Sequence, residues 1–274
     1  MNKISNYLFG KDSSFAYSVN TLLLAVIPES SFKCMNLYES WSEATNVLVN
    51  RLILCFLIFS LSKAIYGFYV KNRKKVVIKC KNYSIQIEYG DIIKINDGKK
   101  VINFDECFTT KIGESPADIK TDSVCGQYLT EHQNVNIKNL IAATDVKPTK
   151  GKSQYNNQER YEPGTLIPNG DDLLMSFAKL DKNGRAYLTY EEYLECLKKL
   201  WEQIAIYRGT KDIYVPILGS FITNLDKNLT QQELLKIMIY SYMLSPNKVK
   251  KPNKLHIVCR PREGFSINSI FELD

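Results

Sequence analysis

Three short stretches of this 274-residue chain combine glycines, hydroxyls and carboxylates in patterns that suit a ligand site where a strand ends in a loop. In Gly90-Asp91-Ile92, a glycine and a carboxylate fall between two β-rich runs. The second stretch starts at the strand-like Val101-Ile102-Asn103-Phe104-Asp105 and continues to the Ser-x-x-Gly turn Ser123-Val124-Cys125-Gly126. In the third, Pro216-Ile217-Leu218-Gly219-Ser220-Phe221-Ile222-Thr223, a strand breaks at glycine ahead of a helix. Open α/β sheets bind ligands outside the carboxyl ends of their strands, where loops run into helices and unpaired backbone N–H groups collect. Each stretch alone also reads as an ordinary turn, so the argument rests on their order and spacing.

Other chemistries find few recruits. Two histidines, His132 and His256, leave little for imidazole acid–base or metal chemistry. The seven cysteines (Cys34, Cys55, Cys80, Cys107, Cys125, Cys196 and Cys259) form no C-x-x-C pair, which points to reduced thiols in a cytosol and away from a zinc site or disulfide framework. Segment 181–192 has the length of a calcium loop, with Asp181 first, Asn183 third and Glu192 twelfth. Its fifth position, however, is Arg185, and Gly184 stands fourth where the sharp turn needs a glycine sixth. A turn at 182–184 leading into a capped helix is expected instead. The net charge of +7 divides into +1 over residues 1–70 (five basic, four acidic) and +6 over the remainder (31 basic, 25 acidic). That balance suits an anionic leaflet or ligand, and no dense Lys/Arg block with interleaved aromatics marks a nucleic-acid binder. Neither a catalytic set, a metal site nor a resident cofactor is expected.

The elements that must position the three stretches follow from periodicity. Alternation and β-branched content predict strands at 76–81, 83–90 and 91–97, and further strands are expected at 173–180, at 212–219 and, buried, at 255–259. Residues 144–164, polar and nearly without aliphatic side chains, read as a surface insertion or mobile loop. A helix from 190 to about 207 places Leu194, Leu197, Trp201 and Ile204 on one face, with Thr189 and Glu192 as its capping box. A second helix starts near Thr230 with the same Thr-x-x-Glu signature, completed by Glu233. Strands alternating with helices imply an α/β fold, a mixed sheet sandwiched by helices.

Ahead of this region lies a membrane signal. Residues 52–70 are apolar apart from Lys63 and are followed by Lys71, Arg73, Lys74 and Lys75. Nineteen residues rise roughly 28 Å as a helix, about the hydrocarbon thickness of a bilayer. Lys63 lies near the basic end, where its ammonium can snorkel toward the head groups. The basic cluster assigns everything beyond it to the cytoplasm. A weaker run at 15–27, extended through Phe32, suggests a partner span and hence a transmembrane hairpin of helices at about 14–32 and 52–70, with both termini cytoplasmic. A cleaved signal peptide is the competitor, but Pro28, Glu29 and Ser30 follow where a small-x-small site would be needed. The chain thus divides into a membrane region, 1–70, and a cytoplasmic domain, 71–274.

The succession of Gly-Asp-Ile after a strand, a strand ending at Asn103 and Asp105, a Ser-x-x-Gly loop and Pro-x-x-Gly-Ser before a late helix resembles the macro domains, the ADP-ribose-binding fold. More narrowly, residues 76–260 resemble the macro domain of Thoeris antiphage-defence effectors of the ThsA type, in the version preceded by two transmembrane helices. The stretches GDIIKI, NFDECFTT, DSVCGQYL, PGTLIPNGDDLLMSFAKLD, EEYLECLKKLWEQI, VPILGS and LHIVCRP carry that resemblance. It implies a membrane effector at the bacterial inner or plasma membrane, responding to an NAD-derived, ADP-ribose-type signalling nucleotide. In such systems a partner TIR-domain protein makes the messenger, in this branch resembling a histidine adduct of ADP-ribose. The membrane part then damages the bilayer, with growth arrest or cell death and a homo-oligomeric effector as corollaries.

Carried over by position, the resemblance has Asp91 accept from the adenine amino group, with Ile92 beside it, and Asn103 and Asp105 line the ribose region. Ser123, Val124 and Gly126, with Gly219, Ser220, Phe221, Ile222 and Thr223, would offer backbone N–H groups to the diphosphate. Phe221 could also stack on a ring. The chain departs from the general macro pattern in having Gly219-Ser220-Phe221 where many members have Gly-Thr/Ser-Gly. It also has Asp105-Glu106-Cys107 where hydrolytic members carry an Asn-containing loop and a glycine run. Both departures favour recognition over hydrolysis. Two alternatives remain open at this point: a membrane-tethered ADP-ribosyl hydrolase with Asp105 or Glu106 positioning a water, and a membrane anchor whose soluble domain binds another protein.

Overall fold

A computed structural model describes residues 13–33, 38, 40–220, 224–226, 228–268 and 270, and the chain divides into two units, Met1–Arg73 and Lys74–Asp274. In the first, helix α1 (Ser13–Val26) ends two residues before Pro28, which has no N–H to continue the ladder, and a 3-10 turn follows at Glu29–Lys33. The helix expected over 14–32 therefore stops at Val26. Helix α2 (Glu43–Lys71) starts nine residues earlier than the apolar run, because the Ser42 hydroxyl accepts from Thr45 N and caps it. The two helices pack through rings and one amide: Phe15 stacks on Tyr66 with centroids 5.3 Å apart, and Asn20 Nδ2 donates to Cys55 O at 3.0 Å. Among the described residues one helix, Glu43–Val70, is long and apolar enough to cross a membrane, and only 17% of its most apolar window is buried.

The second unit is a mixed sheet. Its strands are β1 (Lys75–Lys79), β2 (Ser84–Tyr89), β3 (Lys99–Asp105), β4 (Leu166–Asn169), β5 (Asp172–Leu180), β6 (Ala186–Leu188), β7 (Ile213–Pro216), β8 (Asn224–Leu225) and β9 (Leu255–Cys259). They run in the order β1-β2-β9-β7-β3-β5-β6-β8, with β4 on β5. Strands β2, β9, β7, β3 and β5 are mutually parallel, so five carboxyl ends open on one side of the domain. Antiparallel β1, β4 and β6 flank them.

Strand alternation sends side chains to two layers. Ile85, Ile87, Val101, Met175, Val215 and Ile257 face helices α5 (Tyr190–Tyr207) and α6 (Gln231–Leu244), which contribute Leu197, Leu200, Trp201, Leu235 and Met238. Ile102, Phe104, Leu174 and Val258 face α3 (Val124–Glu131), which contributes Tyr128 and Leu129, and α4 (Ile137–Ala142). The expected α/β sandwich is present, and both capping boxes, Thr189/Glu192 and Thr230/Glu233, close as read.

Two local expectations need correction. Segment 91–97 is not a strand: the Asp91 carboxylate accepts from Ile93 N at 3.2 Å and folds Ile92–Lys94 into a 3-10 turn, a side-chain bond that competes with a ladder. Strand 212–219 ends at Pro216, and Gly219 takes a left-handed φ of 78° that turns the chain away. The calcium-like segment closes as a turn, with Asp181 Oδ1 accepting from Asn183 N and Arg185 N, both at 2.8 Å.

Candidate functional site

The five parallel carboxyl ends frame a cleft of two lobes. The first, about 730 Å³ with its mouth, runs between Gly90 and Ile92 after β2, Pro216 to Ser220 after β7, and Ser123 and Val124 at the start of α3. The second, about 580 Å³, continues over Asp105, Ala117 and Asp118 toward Leu180. Asn103 and Ser123 line both lobes and mark their junction.

Ser123 is the N-cap of α3: its hydroxyl accepts from Gly126 N at 3.0 Å and donates to Lys120 O at 2.6 Å. The Ser-x-x-Gly turn read from sequence is thus the first turn of a helix, which supplies backbone donors to the cleft wall. Gly126 itself packs behind that wall, where a Cβ would stand 2.1 Å from Lys120 O. The loop after β7 is pinned from beneath, with Leu218 O accepting from the Tyr193 hydroxyl at 3.2 Å and the Ser220 hydroxyl donating to Ile217 O at 3.0 Å.

Of the residues expected at the site, Ile92, Asn103, Ser123, Val124, Gly219 and Ser220 line the first lobe, and Asp105 lines the second. Asp91 caps the 3-10 turn beside the cleft, its neighbours on both sides forming the wall. Phe221, Ile222 and Thr223 lie outside the described residues. The sequence reading did not single out Gln231, Arg260 and Arg262, which also line the first lobe. Their signal is positional: the arginines directly follow the last buried strand, and Gln231 opens the helix capped by Thr230.

The carboxylates at the end of β3 have structural partners. Asp105 Oδ1 accepts from Cys107 N at 2.8 Å and Thr109 N at 3.3 Å, and its other oxygen pairs with the Thr109 hydroxyl. Burial pushes the Asp105 carboxyl above its usual range, opposed by those bonds from Thr109 and Cys107. Glu106 Oε1 accepts from the Ser153 hydroxyl at 2.6 Å and Leu180 N at 3.2 Å, and Oε2 stands 3.6 Å from Arg160. Glu106 therefore ties the polar insertion 144–164 to the sheet. The cysteine thiols near the cleft are held protonated: burial pushes Cys107 to about 11 and Cys125 well above its ordinary value.

The chain is similar to known proteins in sequence and, more distantly, in structure. The family described as Thoeris protein ThsA, Macro domain, matches residues 85–260. The Thoeris protein ThsA of Bacillus amyloliquefaciens (strain Y2) is 28% identical over 208 residues, covering 70% of this chain and 68% of that protein. Two mutant macrodomains of Oceanobacillus iheyensis, each 11% identical, superpose with TM-scores of 0.42 and 0.38. The first covers 73% of this chain and 98% of its own, the second 69% and 88%.

Proposed function

This chain belongs to the Thoeris ThsA macro domain family, and on that premise we propose that it is a membrane effector of antiphage defence whose cleft senses an ADP-ribose-type nucleotide. The messenger is one made from NAD by a partner TIR-domain protein, of the kind in which histidine is joined to ADP-ribose. The N-terminal helices anchor the chain in the inner or plasma membrane as a two-span hairpin with both termini cytoplasmic. Occupancy of the cleft shifts a homo-oligomer toward a form that disrupts the bilayer. A ligand drives such a shift only through its difference in affinity for the two forms.

The cleft at the carboxyl ends of five parallel strands is the observation that carries this reading. Its walls are backbone donors, small hydroxyls and two guanidinium groups. The state of Asp105 and Glu106 favours sensing over turnover: their oxygens are occupied by backbone and side-chain donors, which leaves neither poised to activate a water.

The test is calorimetry of the detergent-solubilised full chain against ADP-ribose, with chromatography of the nucleotide afterwards. Saturable heat with unchanged ADP-ribose is expected. Gly126→Ala, which forces Lys120 O away from the α3 turn, should abolish that heat. Release of free ADP-ribose from an ADP-ribosylated conjugate incubated with the wild type would make the chain a hydrolase, and no heat with ADP-ribose would remove the cleft from consideration.

A further inference from the structure

Positive charge is unevenly placed on the sheet unit. Residues 74–274 hold 29 basic and 25 acidic side chains, but 74–83 and 244–254 hold eight lysines and no carboxylate, which leaves 21 basic against 25 acidic elsewhere. Among the described residues, eight lysines outside the two stretches pair with a carboxylate, Lys100 with Asp172 and Lys111 with Asp118 among them. Lys74, Lys75, Lys79, Lys81, Lys250 and Lys254 have no such partner among the described residues, and all but Lys254 are exposed.

The fold joins the two stretches into one strip. Tyr83 and Lys250 form an antiparallel bridge, Lys251 N donates to Asn82 O at 3.1 Å, and Lys251 Nζ donates to Cys80 O at 2.8 Å. The end of α6 lies beside them, with the Lys248 ammonium 5.2 Å from the Tyr83 ring centroid and 4.9 Å from that of Tyr242. Leu244, the last residue of α6, is 85% exposed, and Tyr240 and Met243 before it are exposed as well. Val76 and Ile78 pack toward α5 and α6, so Lys75 and Lys79 lie on the opposite face of β1, the edge strand of the sheet.

Resting on the membrane-anchor reading above, we propose that this strip is a docking surface for the anionic headgroups of the bilayer that holds the chain. The occupant follows from the residue types. Lysine ammoniums are point charges that suit a diffuse layer of headgroups, whereas nucleic acids are gripped by arginine forks and stacked rings. The two stretches hold no arginine, and their one ring, Tyr83, is already engaged with Lys248. An exposed leucine beside lysines matches an interface that is apolar on its inner side. The bilayer is also within reach: α2 ends at Lys71, and ten residues of chain span at most about 35 Å, so Lys81 can lie no farther from it. Lysines on an edge strand also keep a sheet from pairing with another chain. That accounts for Lys75 and Lys79, but not for Lys254, which precedes the interior strand β9, nor for Leu244. Residues 80–83, Lys250 and Lys254 lie at the amino ends of β2 and β9, so docking there leaves the cleft at the carboxyl ends open to its ligand.

Lysine acetylation read by mass spectrometry tests this on the full chain in nanodiscs of phosphatidylcholine, with and without phosphatidylglycerol. Phosphatidylglycerol should slow labelling of Lys79, Lys81 and Lys250 at least about threefold, and the difference should vanish in 1 M salt, where the screening length falls to about 3 Å. Lys147 and Lys150, exposed in the insertion, should react alike in both lipids. The pair Lys81→Glu and Lys250→Glu should bring Lys79 and Lys254 to one rate in both lipids, whereas Lys81→Arg with Lys250→Arg should keep the protection of Lys79. Equal labelling of the wild type in both nanodiscs would overturn the docking and leave the anchor reading intact. Protection that survives in the glutamate pair would also overturn it, because the shielding would not come from charge. Strip lysines labelled alike in both lipids but slowed by added duplex DNA would assign the strip to nucleic acid instead. A wild type that enters neither nanodisc would overturn the anchor reading and this docking with it.

Discussion

Helices α2 and α5 are built from similar apolar residues and treat them in opposite ways. In α5, Leu197, Leu200, Trp201 and Ile204 are buried against the sheet, while Glu191, Glu195, Lys198 and Glu202 face outward. Helix α2 is apolar around its circumference and leaves Leu52, Phe56, Leu57, Leu61 and Phe68 exposed. A helix that water must solvate keeps one polar face, and a helix that is apolar all round needs an apolar surrounding. The contrast extends to charge. The sheet unit holds a buried carboxylate, Glu106, within a full set of donors, whereas in α2 the ammonium of Lys63 stands 5.9 Å from the Phe59 ring centroid. One unit buries its apolar side chains inside a core, and the other presents the surface expected of the proposed membrane anchor.

The largest effect that could break this contrast is in the core. Trp201 is buried edge-on to Tyr242 with centroids 5.1 Å apart, and its Nε1–H donates to the Ser241 hydroxyl at 3.1 Å. Trp201→Ala should destabilise the sheet unit by about 3–5 kcal/mol, read by denaturant unfolding followed through a sheet-unit probe. Leu57→Arg, in the exposed face of α2, should leave that transition in place and instead hinder membrane insertion by about 2.5–3.5 kcal/mol. If Leu57→Arg lowers the sheet unit's midpoint as far as Trp201→Ala does, the two helices are not in different solvents.

Much of this was legible locally. Helix α5 shows a 3.6-residue period, and its cap lies within four residues of its start, so both its limits and its box can be read from neighbours in sequence. Strand β2 is likewise marked by its alternating SIQIEY pattern, and β5 and β9 by short apolar runs that are buried along their length. The 3-10 turn after Asp91 was hidden because one carboxylate–amide bond outweighs β-branched content over three residues. The roles of Asp105 and Glu106 diverge through partners far along the chain: Asp105 bonds to residues two and four ahead, whereas Glu106 reaches Ser153 and Leu180. No local pattern specifies which residues return to a strand end. Arg260 and Arg262 were passed over because a search for anion loops looks for glycines and hydroxyls, and long cationic side chains reach such loops from a different strand.

Glu106 sharpens the comparison at intermediate magnitude. Glu106→Ala leaves Leu180 N and the Ser153 hydroxyl without an acceptor inside the domain and leaves Arg160 without its carboxylate. Loss of one partner from a buried ionic set costs about 3–5 kcal/mol, and the part-exposed guanidinium lowers the expectation here to about 2–3 kcal/mol. Glu106→Gln keeps an acceptor for both donors and should recover roughly half of that. Limited proteolysis provides the local readout: cleavage within 144–164 should accelerate in Glu106→Ala well before global unfolding does. Unchanged cleavage would mean that the insertion is held by its own contacts.

Asp105 gives the smallest effect and the most specific one, because its sign depends on pH. Desolvation favours the neutral form in the folded chain, so its carboxyl lies above the ordinary value of 3.8 despite the bonds from Thr109 and Cys107. A raised folded-state value contributes stability that is fully present below the unfolded value and is lost as pH rises through the folded one. Asp105→Asn keeps an Oδ1 acceptor for Cys107 N and Thr109 N and removes the charge. The variant should therefore match the wild type below the ordinary carboxylate range and gain on it as pH rises above that range, by less than about 1 kcal/mol at neutrality. Subtracting the two melting profiles cancels the carboxylates they share, including Asp118, which its bond to Lys111 holds below the usual range. A difference that shrinks as pH rises would place a compensating positive charge beside Asp105, and with it a site electrostatically closer to the arginine-lined lobe than its own bonds indicate.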